Sequence, residues 1–383
     1  MRSLRRRELA LGSLLTLALA TVGVMAVAGP LDPPAGAVSP TYKTLTEVEP
    51  RIAINSTNTP GDADSLYKIT QPGSYYLTGN ITGASGKSGI EIASDNVSID
   101  LCGFGVVGVT GSLSGITRDG TPRGSITLKN GVVSNWGQYG VFLDYVNSSG
   151  TKGFVIDSII SRANGTAGFA VGDASVVTRC SASQNGAAGF DGGNHARYDN
   201  CIATGNAGAG FLFGFGCAYT GCEARANTGS GFQPSGTCTF SNCSASNNGG
   251  DGFNLTRSTA LACDASFNTG RGFAVFASTI QSCGVNNNTA GGIESSNNST
   301  ILNNHVIGST TGILVTGVDN RIEGNNVTGA ATCISVTGTG NLIIRNSASG
   351  GTRYNIVAGN SAGPIITSAG IGALTNPAAN FDF

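Results

Sequence analysis

Charge is scarce in this chain: only 11% of its 383 residues are Asp, Glu, Lys or Arg, against a usual ~25%. Lysine appears only at Lys43, Lys68, Lys87, Lys129 and Lys152, and the net charge is −1. Nothing here supplies a basic footprint for a nucleic-acid backbone, and a charge-poor chain is no coiled coil. The two histidines, His195 and His305, lie far apart and fit no zinc spacing. Beyond residue 28 no apolar run is long enough to cross a bilayer. Glycine, in contrast, is plentiful at 59 residues, roughly twice the usual ~7%. Low charge with much glycine would suggest disorder, but 40% of the residues are hydrophobic and they recur at regular intervals. A folded chain is expected.

Residues 1–28 place Arg2, Arg5, Arg6 and Arg7 ahead of the apolar run Leu9–Ala28, which ends on Ala26-Val27-Ala28. A cationic head, an apolar stretch and a small-x-small end constitute an export signal, so a secreted or cell-envelope location is expected. Arg6-Arg7-Glu8-Leu9 resembles the twin-arginine signal of bacteria, although Ser3 lies too far forward and Ala10 replaces the second large apolar residue. The alternative is an uncleaved membrane anchor, since about 20 apolar residues just span a bilayer. Residues 29–50, with Pro30, Pro33, Pro34 and Pro40, read as a linker.

The strongest signal is internal repetition. A Gly-aromatic or Gly-aliphatic step returns every 20 or 21 residues, its second member being Phe169, Phe190, Phe211, Phe232, Phe253, Phe273, Ile293, Ile313 and Ile334. Five residues before the first seven stand Asn164, Asn185, Asn206, Asn227, Asn248, Asn268 and Asn288. Ten residues before the second through seventh stand Cys180, Cys201, Cys222, Cys243, Cys263 and Cys283. Two residues after the aromatic column come Val171, Phe213, Leu255, Val275 and Val315, with Asp191, Gln233, Asn254 and Glu294 between. This alternation predicts strands with the first set inward and the second outward. Ala182, Ala203, Ala224, Ala245 and Ala265 follow the Cys column, so a strand of small residues faces a strand of large ones.

Two strands and their turns within about 21 residues leave no room for a crossover helix, so each repeat is one coil of a solenoid. The fold expected is all-β: about 12 coils over residues 89–360, a rod roughly 55–60 Å long. Residues 51–88 are expected to cap one end of the core and residues 361–383 the other.

With its Asn column and coil length, the repeat resembles the right-handed parallel β-helix family, the superfold of pectate lyases, polygalacturonases, alginate epimerases and phage tailspikes. The resemblance spans residues 89–360 and implies a fold; activity must come from a site. The polygalacturonase Asp-Asp and Gly-His-Gly elements are missing, Arg321-Ile322-Glu323 only partly echoes their Arg-x-Lys, and the Asp-Pro-His of alginate epimerases is missing too. Pectate lyases use calcium, but no column here stacks acids on consecutive coils, so calcium has no support, and no other cofactor or metal is indicated.

Ten cysteines in an exported chain invite disulfides. Stacked thiols, however, keep their Cβ atoms near the coil spacing, longer than the ~3.8 Å mean of a bridge. Free buried thiols are expected, with Cys217 to Cys238 or Cys217 to Cys222 the alternative pairings. The Asn column reads as a turn device in which each amide bonds to the next coil.

Candidate site residues then come from the outward positions. Glu223 and Asp264 share one column two coils apart, ~9.6 Å, with Arg225 beside Glu223. That is near the upper end of the ~6.5–9.5 Å used by inverting glycosidases, though two solvated carboxylates are the plainer reading. Asp191 and Glu294, five coils or roughly 24 Å apart, are too distant for one reaction centre but could belong to a polar groove with Gln233, Asn254 and Arg257. His195, near Asp191 and Asp199, offers one acid-base cluster. Trp136 is either a sugar-stacking platform or a packing residue. The function expected is binding or processing of a polysaccharide or surface glycan along the outward face, with lyase, hydrolase and epimerase all open. The alternative is a non-catalytic structural or adhesive surface solenoid.

Overall fold

The computed structural model describes residues 49–121, 123–143, 153–373 and 375–383. The expected export signal, residues 1–28, and nearly all of the expected linker, residues 29–50, lie outside them. From Pro50 onward the chain winds as a parallel β-solenoid with three strands per coil. One strand of each coil builds a fourteen-stranded parallel sheet, here the Phe face, running from Ser65–Ile69 to Thr352–Ile356. The other two strands, for example Val176–Thr178 and Ser181–Ser183, belong to one larger sheet folded at a corner. They form the Tyr face and the Ala face.

Fourteen coils replace the twelve expected. Ser65–Ile69, inside the segment assigned to a cap, pairs in parallel with Ser88–Ile92, because Ser65, Tyr67 and Ile69 keep the period-2 pattern of a coil strand. The repeat was invisible there because loops of other lengths separate the early coils. At the other end Asn380–Asp382 closes the Ala face by pairing with Ser347 and Ala348.

Register is strict. Phe169, Phe190, Phe211, Phe232, Phe253 and Phe273 are direct cross-strand partners, with ring centroids 4.6–4.9 Å apart and nearly parallel ring planes. Isolated rings prefer offset or edge contacts; here the coil spacing imposes the stack. Edge-to-face contacts come from a second stack, Tyr198, Tyr219 and Phe240, across the core. The glycine before each Phe has a steric cause. A Cβ on Gly210 would stand 2.9 Å from the Ala224 Cβ and 2.7 Å from the Gly231 carbonyl oxygen, so the close approach of Phe and Ala faces requires glycine.

Three corners close each coil, each carrying a column of inward acceptors. At the corner between Ala and Phe faces, Asn206 donates from its backbone N–H (3.1 Å) and from Nδ2 (2.9 Å) to Asn227 Oδ1, and the pattern repeats down the expected Asn column. The Cys column occupies the corner between Tyr and Ala faces, and Asn takes it over. The Cys283 N–H donates to Asn304 Oδ1, after which Asn325, Asn346 and Asn380 continue. The third corner runs through Cys217, Cys238, Ser258, Ser278, Ser299, Asn320, Asn341 and Asn360. Immediately before the column residue the backbone is repeatedly left-handed, as at Arg179, Ala226 and Thr237 (φ 50°, 52° and 51°).

All ten cysteines are free thiols. Cys217 and Cys238 meet as N–H donor and sulfur acceptor at 3.3 Å rather than as a bridge. Thiols here do the work of an amide: Cys201 Sγ donates to the Val177 carbonyl (3.3 Å), as Asn227 Nδ2 donates to Ala203 (3.0 Å). Burial pushes the Cys180 and Cys222 thiols well up, which keeps them unreactive.

Two outcomes are expected. Asn227→Leu strands the Asn206 N–H and should destabilise by about 1–3 kcal/mol, read as a lower urea midpoint. Titration of the native protein with an aromatic disulfide should count one rapidly reacting thiol, Cys102, the exposed member of the set, and ten after denaturation.

Candidate functional site

The outward side of the Phe face carries one column through the coils: Phe142, Ala170, Asp191, Leu212, Gln233, Asn254, Ala274 and Glu294. The residue after it was expected to point inward throughout. Phe213 does not: it is 45% exposed with φ 59°. The cause lies across the core. In the coils of Phe190 and Phe211 the Tyr face presents Tyr198 and Tyr219, whose hydroxyl ends reach beneath the Phe face. A Cβ on Gly192 would come within 2.5 Å of Tyr198 Oη, and one on Gly214 within 3.7 Å of Tyr219 Oη. An inward Phe213 has no space. Where the opposing residue is Ala260, the small side chain leaves room and Leu255 points inward, fully buried.

The turned-out Phe213 walls a cleft of ≈ 270 Å³ with Asp173, Asp191, Asn194 and Ser235, over a floor of Gly192, Gly193 and Gly214. Asp173 Oδ1 accepts the Asn194 N–H (2.7 Å), and Asn194 Oδ1 accepts the Phe215 N–H (3.1 Å), a short ladder that fixes the cleft's corner. Phe215 is also 45% exposed and meets the His195 ring edge-on at 6.3 Å. Tyr139, stacked on Phe142 at 4.5 Å, approaches from the preceding coil. Burial, and then the charge of Asp191, push its phenol up.

Further along the same face a second cleft of ≈ 200 Å³ contains Asn254, Arg271, Phe276 and Glu294. Arg271 binds Asp251 and Glu294, both at 3.0 Å, and the two carboxylates hold its guanidinium pKa up. The Arg257 guanidinium lies 6.0 Å from the Phe276 ring centroid.

The remaining candidates are dispersed. Glu223 and Asp264 do share an outward column with Ser244 between, but on the Ala face, and neither lines the two clefts of the Phe face. Glu223 pairs with Arg225 at 3.4 Å, and Asp264 is engaged by Ser266 and by Asn286 (3.3 Å). The corner at His195 sends Asp191 and Asp199 to different faces, and the His195 ring lies over Gly216. Trp136 is buried, donating from Nε1 to the Val106 carbonyl (2.9 Å) and from its backbone N–H to Asn164 Oδ1; it heads the Asn column as packing. Asp173, Asn194, Tyr139 and Arg271 escaped sequence reasoning, because their placement depends on neighbours one coil away.

Among the described residues, Asp62, Asp64 and Glu91 also bring their carboxylates within 4.8 Å of one another. Lys68 already bridges Asp62 (2.7 Å) and Glu91 (3.0 Å), and its ammonium holds the Asp62 carboxyl well below the usual range. No helix among the described residues is long and apolar enough to cross a membrane.

A left-handed Phe213 costs roughly 1–2 kcal/mol relative to glycine at that position. Phe213→Gly should therefore be more stable than Phe213→Ala by about 1 kcal/mol, although both lack the ring; equal melting midpoints would contradict the strained backbone.

Comparison with known proteins agrees with this architecture. The A-module of mannuronan C-5 epimerase AlgE4 from Azotobacter vinelandii superposes with a TM-score of 0.55 at 16% identity, over 76% of this chain and 91% of that one. The AlgE6 A-module from the same organism gives 0.47 at 16% identity, over 82% and 88%. No curated protein matches in sequence. The family model described as "Right handed beta helix region" matches residues 114–261 and 218–327, together more than half of the chain. With its parallel coils, stacked columns and three corner ladders, the chain belongs to the right-handed β-helix family.

Proposed function

We propose that the protein binds polysaccharide along the outward side of its Phe face, with the Phe213 cleft as the principal contact. One observation carries this reading. Phe213 stands exposed in one cleft with the Asp173 and Asp191 carboxylates, and Phe215, two residues on, is exposed at the adjoining corner beside His195. A pyranose offers an apolar C–H face and a rim of hydroxyls. Aromatic rings receive the first and carboxylates accept hydrogen bonds from the second. The second cleft, about four coils further along the same face, lets an extended polymer touch both. A solved relative in fold, the mannuronan C-5 epimerase module, acts on a polymer of this general kind. A spacer or adhesin without a ligand would leave the strained, outward Phe213 without a use.

The export signal over residues 1–28 supports action outside the cytoplasm. Binding is the activity proposed; the carboxylates of the cleft would hold and orient the polymer.

The test is a glycan array containing neutral, amino and uronate polymers, followed by titration of the best ligand. The expected result is binding of at least one polymer, weakened about tenfold, ~1.4 kcal/mol, in Phe213→Ala/Phe215→Ala. Silence across the array, or undiminished binding by the double variant, would remove the proposal. Reducing-end assay of the same mixtures separates binding from turnover.

A further inference from the structure

Cys217 and Cys238 stand one above the other at the third corner, on adjacent coils whose strands pair in register at Ala218 and Thr239. Both are buried free thiols. Ala196 occupies the equivalent place one coil before them and Ser258 one coil after, so this corner carries an isolated pair of sulfurs. The pair lies directly behind the floor of the Phe213 cleft. Cys217 Sγ donates to the Gly193 carbonyl (3.3 Å) and Cys238 Sγ to the Gly214 carbonyl (3.6 Å), and both glycines line the cleft. A Cβ on Gly214 would stand 2.7 Å from Cys217 Sγ, so no side chain intervenes between floor and sulfur. The longer column from Cys180 to Cys283 borders neither cleft.

Spacing selects an occupant. Stacked Cβ atoms lie about 4.8 Å apart, beyond the ~3.5–4.5 Å of a disulfide. Two metal–thiolate bonds of about 2.3 Å placed end to end span about 4.6 Å. A cation bridging the sulfurs in line therefore needs no change in coil spacing. Zinc and iron–sulfur clusters call for four ligands, which neighbours such as Ala196 and Ser258 do not complete. Soft cations that accept two thiolates in line remain. A monovalent one would leave a net negative charge in a dry corner, whereas a mercuric ion with two thiolates is neutral. The corner also holds a donor suited to a thiolate ligand. The Cys217 N–H donates to Cys238 Sγ (3.3 Å), an outer hydrogen bond of the kind that orients metal ligands. The Cys217 thiol, and then this N–H, hold the Cys238 thiol below its usual range.

We propose that Cys217 and Cys238 form a site for one soft, two-coordinate cation of the mercuric type, reached through the glycine floor of the cleft. Two S–H bonds break, two S–Hg bonds form, both protons pass to the buffer, and no electron is transferred. The site goes beyond the polysaccharide reading and does not rest on it.

The experiment adds one equivalent of mercuric chloride to the native full-length chain carrying Cys102→Ser, which removes the exposed thiol, and desalts it. One ion should stay with each chain, X-ray absorption should show two sulfur neighbours at about 2.3 Å, and anomalous scattering should place the ion between Cys217 and Cys238. Cys217→Ser/Cys238→Ser, in which serine takes the role that Ser258 and Ser278 already fill in this column, should weaken retention at least about tenfold. Loss of the ion from the parent on desalting, equal retention by the serine variant, a shell of three or four sulfurs, or an ion placed in the Cys180 to Cys283 column would each overturn the site. Should the serine variant fail to fold, the ion's position in the parent decides.

Discussion

The backbone N–H at each corner must find an acceptor once the turn is buried, and in this chain the acceptor is a side chain from the next coil. An Asn amide, a Cys sulfur or a Ser hydroxyl fills that position at three corners. Each corner bends tightly because the residue before the acceptor adopts left-handed backbone, frequently without glycine. The strain is offset by a hydrogen bond in a low-dielectric interior, where an unpaired N–H is expensive. Coil length follows: an insertion between corners would move the acceptor off its donor. This accounts for the near-constant period across residues 164–346.

Strict stacking propagates to the core and from there to the surface. Once corners are aligned, like side chains lie on like at one coil spacing, so rings stack face to face whatever their own preference. The cross-section is narrow, and an increase in size on one face must be matched by a loss on another. Tyr198 and Tyr219 lengthen the Tyr face in just those coils where the Phe face gives up an inward side chain, at Gly192 and at the outward Phe213. The cleft therefore originates in core packing: the aromatic wall is exposed because the interior has no volume for it. Its carboxylates arrive from two other sources, Asp173 from the corner ladder with Asn194 and Asp191 from the outward column of the Phe face.

Much of the fold was legible from residue spacing. The Phe, Asn and Cys columns and the Ala strand all occupy the places that alternation assigned them. Asn304, Asn325 and Asn346 also recur at the period, but their meaning was hidden, because Asn replaces Cys within a single column and the change of residue type disguises the common role. The column of Glu223 and Asp264 was placed correctly on an outward face. Spacing along one column does not reveal that these two acids lie on a different face from the two clefts. Arg271 went unnoticed because its partner Asp251 is twenty residues away in the chain yet one coil away in space.

By itself the sequence determined the coil: a period near twenty-one residues, which side chains face in, and which polar groups close the Asn corner. These are local and periodic properties, settled by alternation and by the need to pair buried amides. Tertiary structure alone decided where the surface opens. The orientation of Phe213 depends on Tyr219, six residues later and across the core, and the two acids of the cleft, Asp173 and Asp191, are brought together from adjacent coils. Such outcomes arise from competition for volume and charge between faces, which no single strand's pattern records.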